Sequence, residues 1–259
     1  MATLSSTSYE RKGCGTGVNV LTLIMAESAL EIIPKELRSH PSVLSHSRRR
    51  GKPPSRLILD RSYHHAAMKR LDRGWKRGRP DIVHISLLEA LGSPLNREGL
   101  LRVFVHTFDG HVITVAPETR LPRNYMRFIG LMEQLFELGR VPPTGKPLLR
   151  IERKSLKMLL EDVKPSYVLA LSSAGRPTTL PKAVLRLTNS ERPAVLVGGF
   201  PAGDFEEETV ELADEVLSID PETLEAWTVT SRVIYEYERA TGLPERRLKR
   251  QLEEKPSKV

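Results

Sequence analysis

Three arginines gather in the stretch Arg120-Leu-Pro-Arg-Asn-Tyr-Met-Arg127-Phe-Ile-Gly, at spacings of three and four. Pro122 fixes φ at a value that suits a turn or the first position of a helix. Arg123 and Arg127 would then project from one side of that helix, with Arg120 on the incoming loop. Met126, Phe128, Ile129, Leu131, Met132, Leu135 and Phe136 recur at roughly helical spacing and would bury the other side. A fork of guanidinium groups beside a helix N-terminus suits a phosphate backbone, because arginine pairs with phosphate bidentately and the helix dipole favours anions. The competing reading is a solvated charged face.

A second constellation is Arg79-Pro-Asp-Ile-Val-His84 at a helix entrance. Asp81 there can hold the Arg79 guanidinium through charge-assisted hydrogen bonds, and can serve the helix N-terminus as well. A third is Gly198-Gly-Phe-Pro-Ala-Gly203, which follows an apolar run. Its GGxxxG spacing is not a nucleotide fingerprint, and no Gly-Lys-Ser/Thr follows. Two more apolar runs end in similar loops, at Leu171-Ser-Ser-Ala-Gly and Leu217-Ser-Ile-Asp-Pro-Glu-Thr-Leu. Three loops leaving the carboxyl ends of apolar strands occupy the place where open α/β sheets bind ligands.

Other chemistries lack support. His64-His65 has no spaced partner ligand for zinc, so no metal site is expected. One cysteine, Cys14, excludes an internal disulfide framework and a thiolate cluster. Ser172-Ser173 sits on no GxSxG elbow. The net charge of +8 instead favours a polyanionic partner. Basic residues crowd positions 35–80 and acidic ones 204–225, so one basic face is expected rather than a basic coat.

The elements that must position these residues follow from patterning. Residues 1–17 are polar and aperiodic and read as a disordered leader. Val18 to Ala26 is apolar on both faces, too short for a membrane span, and reads as a central strand. It carries no signal-peptide cleavage pattern, which favours a cytoplasmic protein. Ser28 to Lys35 opens a helix that Pro34 ends, and Ser39 to Ser55, with Arg48-Arg-Arg-Gly-Lys, reads as a mobile basic loop. Leu57 to Asp60 starts a strand or a helix. Asp81 to Ala90 is helical by pattern. Leu100–Thr107 and His111–Ala116 alternate around Asp109-Gly110, a hairpin signal. Arg140 to Pro147 is the best internal boundary. Strands and helices then alternate to a long helix from Glu222 to Ala240, with a charged, fraying tail from Glu245. Alternation of this kind makes a mostly parallel α/β sheet.

RPDIVH at 79–84, SPLN at 93–96, VHT at 105–107, RLPRNYMRFIGLMEQL at 120–135, LALSS at 169–173 and VLVGGFPAGDF at 195–205 stand in one order. Together they resemble the archaeal branch of the ribosome-biogenesis pseudouridine N1-methyltransferases, a SPOUT-class family, over Val18 to Gly242. The resemblance implies a SPOUT domain over 18–242, with a hairpin and arginine helix at about 93–139, a trefoil-knotted cofactor part at about 165–242, and a charged tail at 243–259. It implies S-adenosylmethionine as methyl donor and a homodimer acting on a hairpin loop of small-subunit ribosomal RNA, with ribosomal proteins or other assembly factors as further partners. Cofactor contacts carry over to Leu171, Gly198, Gly203, Leu217, Ser218, Ile219, Thr223, Leu224 and Ala226. RNA contacts carry over to Arg79, Arg120, Arg123 and Arg127, with Asp81 holding Arg79 or acting as general base. Tyr125 is the aromatic beside the arginines that could stack on a base or pack on Pro122. Two other readings compete: an RNA-binding assembly factor with a secondary pocket, and a knotted methyltransferase acting on transfer RNA.

Overall fold

Leu21–Ser28 (β1) is apolar on both faces because it is buried on both: Leu21, Leu23 and Met25 point into one core and Ile24 and Ala26 into another. The computed structural model describes residues 18–254, so the leader, Cys14 and the last five residues lie outside the described residues. Among the described residues, eight strands form one sheet in the order β4-β5-β3-β2-β1-β7-β6-β8. Leu101–Thr107 (β2), Pro193–Gly198 (β7), Tyr167–Pro177 (β6) and Glu215–Ser218 (β8) run parallel to β1 or to one another. His111–Val115 (β3), Arg140–Val141 (β4) and Leu149–Arg153 (β5) continue the sheet antiparallel beyond β2.

Four helices cover one face: Pro80–Gly92 (α3), Tyr125–Leu138 (α5), Leu180–Thr188 (α7) and Ala226–Ala240 (α9). Leu156–Val163 (α6) covers the other with Phe205, beside the short helix Glu207–Val210 (α8). A satellite cluster packs under Pro41–Arg50 (α1) and Arg61–Met68 (α2), and the short Pro94–Arg97 (α4) joins α3 to β2. No helix among the described residues is long and apolar enough to cross a membrane.

Several expectations are corrected. Of the helix expected at 28–35, residues up to Pro34 are extended and Lys35 opens only a single 3-10 turn, because the backbone pairs with 57–59: Ile33 N–H donates to the Leu57 carbonyl and Leu59 N–H to Glu31. The supposed mobile loop at 39–55 is largely α1, capped by His40 and stopped by Gly51 at φ 61°. The stretch from Arg140 to Pro147 is no boundary; β4 pairs with β5 and finishes the sheet. The final long helix starts at Ala226, since Asp220 binds the Glu222 N–H in a turn that breaks the chain first. The charged tail is helical over Leu243–Glu254 (α10), and Arg247 and Arg250 both reach Glu98 at 2.7 Å.

Candidate active site

β6, β7 and β8 end on the same side of the sheet, and their loops enclose a cleft of about 480 Å³. Leu171 comes from β6, Gly198 from the end of β7 and Gly203 from the loop after it, and Leu217, Ser218 and Ile219 from the end of β8. Thr223, Leu224 and Ala226 close it on the way into α9. All nine cofactor residues expected from the sequence therefore line one space, the loop from Leu217 to Ala226 included. Its size falls within the range of small-molecule sites. Leu171, Val197, Leu217, Leu224 and Val229 give apolar walls, while Asp204, Asp220, Glu222 and Glu225 place carboxylates around them. That donor set fits a ligand with a flat apolar ring, hydroxyls and positive charge.

The cleft is made by unusually close backbone approaches. Leu217 pairs with Leu171 and again with Arg176, so residues 172–175 detour around β8. A Cβ on Gly175 would come 2.5 Å from the Leu217 backbone, so no side chain fits at that crossing. A Cβ on Gly198 would meet the Phe200 ring at 2.9 Å. Ser172 and Ser173 both donate to Asp204 Oδ1, at 2.9 and 3.2 Å, tying two loops together.

Beneath the Gly198 loop lies a buried ionic latch that sequence reading missed. Lys76 Nζ donates to Glu27 Oε2 at 2.7 Å and Glu206 Oε1 at 2.9 Å, and sits 4.4 Å from the Phe200 ring centroid. Glu27 also accepts from the Glu206 N–H at 2.8 Å. The Lys76 ammonium holds the Glu206 carboxyl below its usual range. In sequence Lys76 is one more cation in a basic run; only the fold reveals that it is spent inside.

The Arg79 segment reaches the cleft through one residue. Ala29 N–H donates to the Gly199 carbonyl at 2.8 Å, and Arg79 N–H donates to the Ala29 carbonyl at 3.2 Å. Asp81 grips the Arg79 guanidinium with both oxygens, Nε to Oδ1 at 2.8 Å and Nη2 to Oδ2 at 2.7 Å. That hydrogen-bonded pairing, with help from Glu225 on the cleft wall, raises the Arg79 pKa. Arg79 thus stands charged at the rim, about one-third exposed.

The arginine loop is pinned to the same helix. His84 Nε2 donates to the Pro122 carbonyl at 2.7 Å and its ring stacks on Phe128, 4.2 Å between centroids. Helix α5 begins at Tyr125, capped by Asn124, so Arg120 and Arg123 lie on the loop and only Arg127 on the helix. The expected helical pair is corrected accordingly: Tyr125, three residues after Pro122, takes the first helical position because Asn124 caps the helix there. All three arginines are exposed, and none has an ion-pair partner among the described residues. Tyr125 neither stacks freely nor merely packs; its hydroxyl donates to Asp60 Oδ2 at 2.6 Å, and burial raises its pKa. His64 pairs with His46 at 2.9 Å, and no metal-ligating group of three occurs among the described residues.

The EMG1/NEP1 methyltransferase family profile matches residues 23–238. A protein of Thermococcus kodakarensis named ribosomal RNA small subunit methyltransferase Nep1 is 50% identical over 227 residues, covering 86% of this chain and all of that protein. One of the same name from Staphylothermus marinus is 47% identical, covering 83% and 93%. The crystal structure of Archaeoglobus fulgidus Nep1 bound to S-adenosylhomocysteine superposes with a TM-score of 0.75 at 40% identity, over 87% of this chain and 99% of that one. On both the profile and the identities, the chain belongs to the EMG1/NEP1 methyltransferase family.

Proposed function

We propose that this protein transfers the methyl group of S-adenosylmethionine to the N1 nitrogen of a pseudouridine in a hairpin loop of small-subunit ribosomal RNA. The observation that carries the reading is Arg79, held by Asp81 and tied through Ala29 to Gly199, in the loop that lines the cleft on either side of it. The cleft's apolar walls and carboxylates suit an adenosine and a sulfonium, and a relative 40% identical binds the demethylated product of that donor. The names of the curated relatives support ribosomal RNA as the substrate class.

When bound, the donor supplies an electrophilic methyl on a sulfonium. The chain's own residues do the rest by position and charge. Arg120, Arg123 and Arg127 take phosphates around the target loop and hold the RNA over the rim. Pseudouridine's N1 is a weak nucleophile until its proton passes to solvent water, and the resulting charge spreads onto the ring carbonyls. Arg79 faces that charge, and Asp81, with both oxygens engaged, fixes the guanidinium's pose. This favours orientation over proton abstraction as the role of Asp81. The Lys76 latch keeps the Gly198–Gly203 loop in place against the donor.

The resemblance further makes 165–242 a trefoil knot, a reading supported by the detour of residues 172–175 around β8. It also makes the working unit a homodimer; light scattering that gives the mass of one chain would contradict the dimer. Asp81→Asn tests the mechanism. It should lower kcat on the order of tenfold to a hundredfold with RNA affinity retained. Turnover at the wild-type rate would remove Asp81 from both roles.

A further inference from the structure

The run Arg48-Arg-Arg-Gly-Lys divides in the fold. Arg50 and Lys52 converge on Glu133 of α5 at 2.9 and 2.6 Å, and that carboxylate is only 2% exposed. Arg56 reaches Glu137 on the same helix at 3.2 Å. These pairs fasten the end of α1 to the helix that carries Arg127. Arg48 and Arg49 are different: both are exposed, and neither has an ion-pair partner among the described residues.

Arg49 is also held in place. Its guanidinium lies over the Tyr63 ring, 5.3 Å from the centroid, and Tyr63 stacks on buried His46 at 4.3 Å and 18°. The Tyr63 hydroxyl faces the Met126 sulfur at 3.9 Å. Met126 is 40% exposed and immediately precedes Arg127. An aromatic and a thioether therefore bridge the arginines of α1 to those of the 120–127 segment, making one surface. A guanidinium pre-ordered on an aromatic face keeps its edges for phosphate and loses less freedom when it binds.

We propose that Arg48 and Arg49, with Tyr63 beneath Arg49, form a second RNA contact surface that takes backbone phosphates of the stem flanking the methylated loop. The proposal rests on the RNA methyltransferase reading and extends it from loop to stem. Continuity with the free arginines, rather than charge alone, favours RNA over an acidic protein segment. The surface would measure the distance from stem to target loop, and so add selectivity for a hairpin over a single strand.

The test is the full chain with Arg48→Gln and Arg49→Gln together, titrated at several salt concentrations. Two hairpins share a pseudouridine loop and differ only in stem, one long and one a minimal closing pair. For the long hairpin, the slope of log affinity against log salt should fall by about two, one unit for each lost phosphate contact. For the minimal hairpin the slope should not change. Tyr63→Leu, which keeps both charges, should weaken long-hairpin binding less than the double variant does. Retained binding of S-adenosylhomocysteine in each variant establishes that the fold is intact. An unchanged long-hairpin slope in the double variant, with Arg123→Gln still lowering it by about one, overturns the stem surface alone. If Arg123→Gln is silent too, the RNA face of the proposed function fails with it.

Discussion

Arg77 and Arg79 stand two residues apart on one segment and belong to different regions of the molecule. Arg77 runs inward and meets Glu31 through Nε and Nη2, at 2.7 and 2.5 Å, with the carboxylate 1% exposed. Lys76 beside it is also buried, on Glu27 and Glu206. Arg79 turns outward to the rim, and its partner Asp81 is equally open. The first region is a floor of spent charge beneath the loop from Gly198 to Gly203. The second is a ring of charge kept for a ligand. Net charge alone cannot tell them apart, because two of the carboxylates that neutralise the floor, Glu27 and Glu31, lie 49 and 46 residues earlier in the chain and the third, Glu206, lies 130 residues later.

The contrast is sharpest in stability. Burial raises the Glu31 pKa against the opposing pull of Arg77, so the pair holds its charges only together. Arg77→Met leaves the Glu31 carboxylate buried and unpaired, and should cost about 3–5 kcal/mol in a denaturant titration. Arg79→Ala, two residues away, should leave that titration nearly unchanged and instead lower kcat about a hundredfold, as loss of a pre-organised charge donor does. Similar stability losses in both variants would erase the distinction.

Lys76→Met should fall between the two. With the latch open, the loop from Gly198 to Gly203 must be ordered on binding, which should weaken S-adenosylhomocysteine roughly tenfold by calorimetry while RNA affinity holds. Arg123→Gln belongs wholly to the rim. It should lower the salt slope of RNA binding by about one and leave the melting temperature in place.

The smallest expected effect concerns the floor under α1 and α2. His64 Nδ1 accepts from the Asp60 N–H at 3.0 Å, so Nε2 carries the proton and donates to His46. Burial first, then the neighbouring His46, pushes the His64 pKa down from 6.5 to about 4. Between those values the unfolded chain binds a proton that the folded chain does not, so stability falls as pH drops through that window. The unfolding midpoint should decline less steeply with falling pH in His64→Gln; an identical decline would mean that His64 does not titrate in this way.

The cleft was more legible than the charges around it. Gly198, Gly203 and the β8 loop are contiguous with apolar runs, and strand ends in such sheets define ligand sites by geometry alone. The hairpin at Asp109-Gly110 was plain for the same local reason. Arg79–Asp81 was readable because its two members are neighbours in sequence. What stayed hidden was long-range: Glu133 collecting Arg50 and Lys52 turned a presumed loop into a docked helix. The latch joins residues 27, 76 and 206, and His84 finds Pro122 across 38 positions. Periodicity carries no record of such pairings.

The most direct test of the central claim is methyl transfer from labelled S-adenosylmethionine to two matched RNA hairpins, one with pseudouridine in the loop and one with uridine. The account predicts incorporation into the first alone, because only pseudouridine offers a free N1–H to the rim at Arg79. Equal labelling of both, or tight binding of both with no transfer while the cofactor binds, would contradict it.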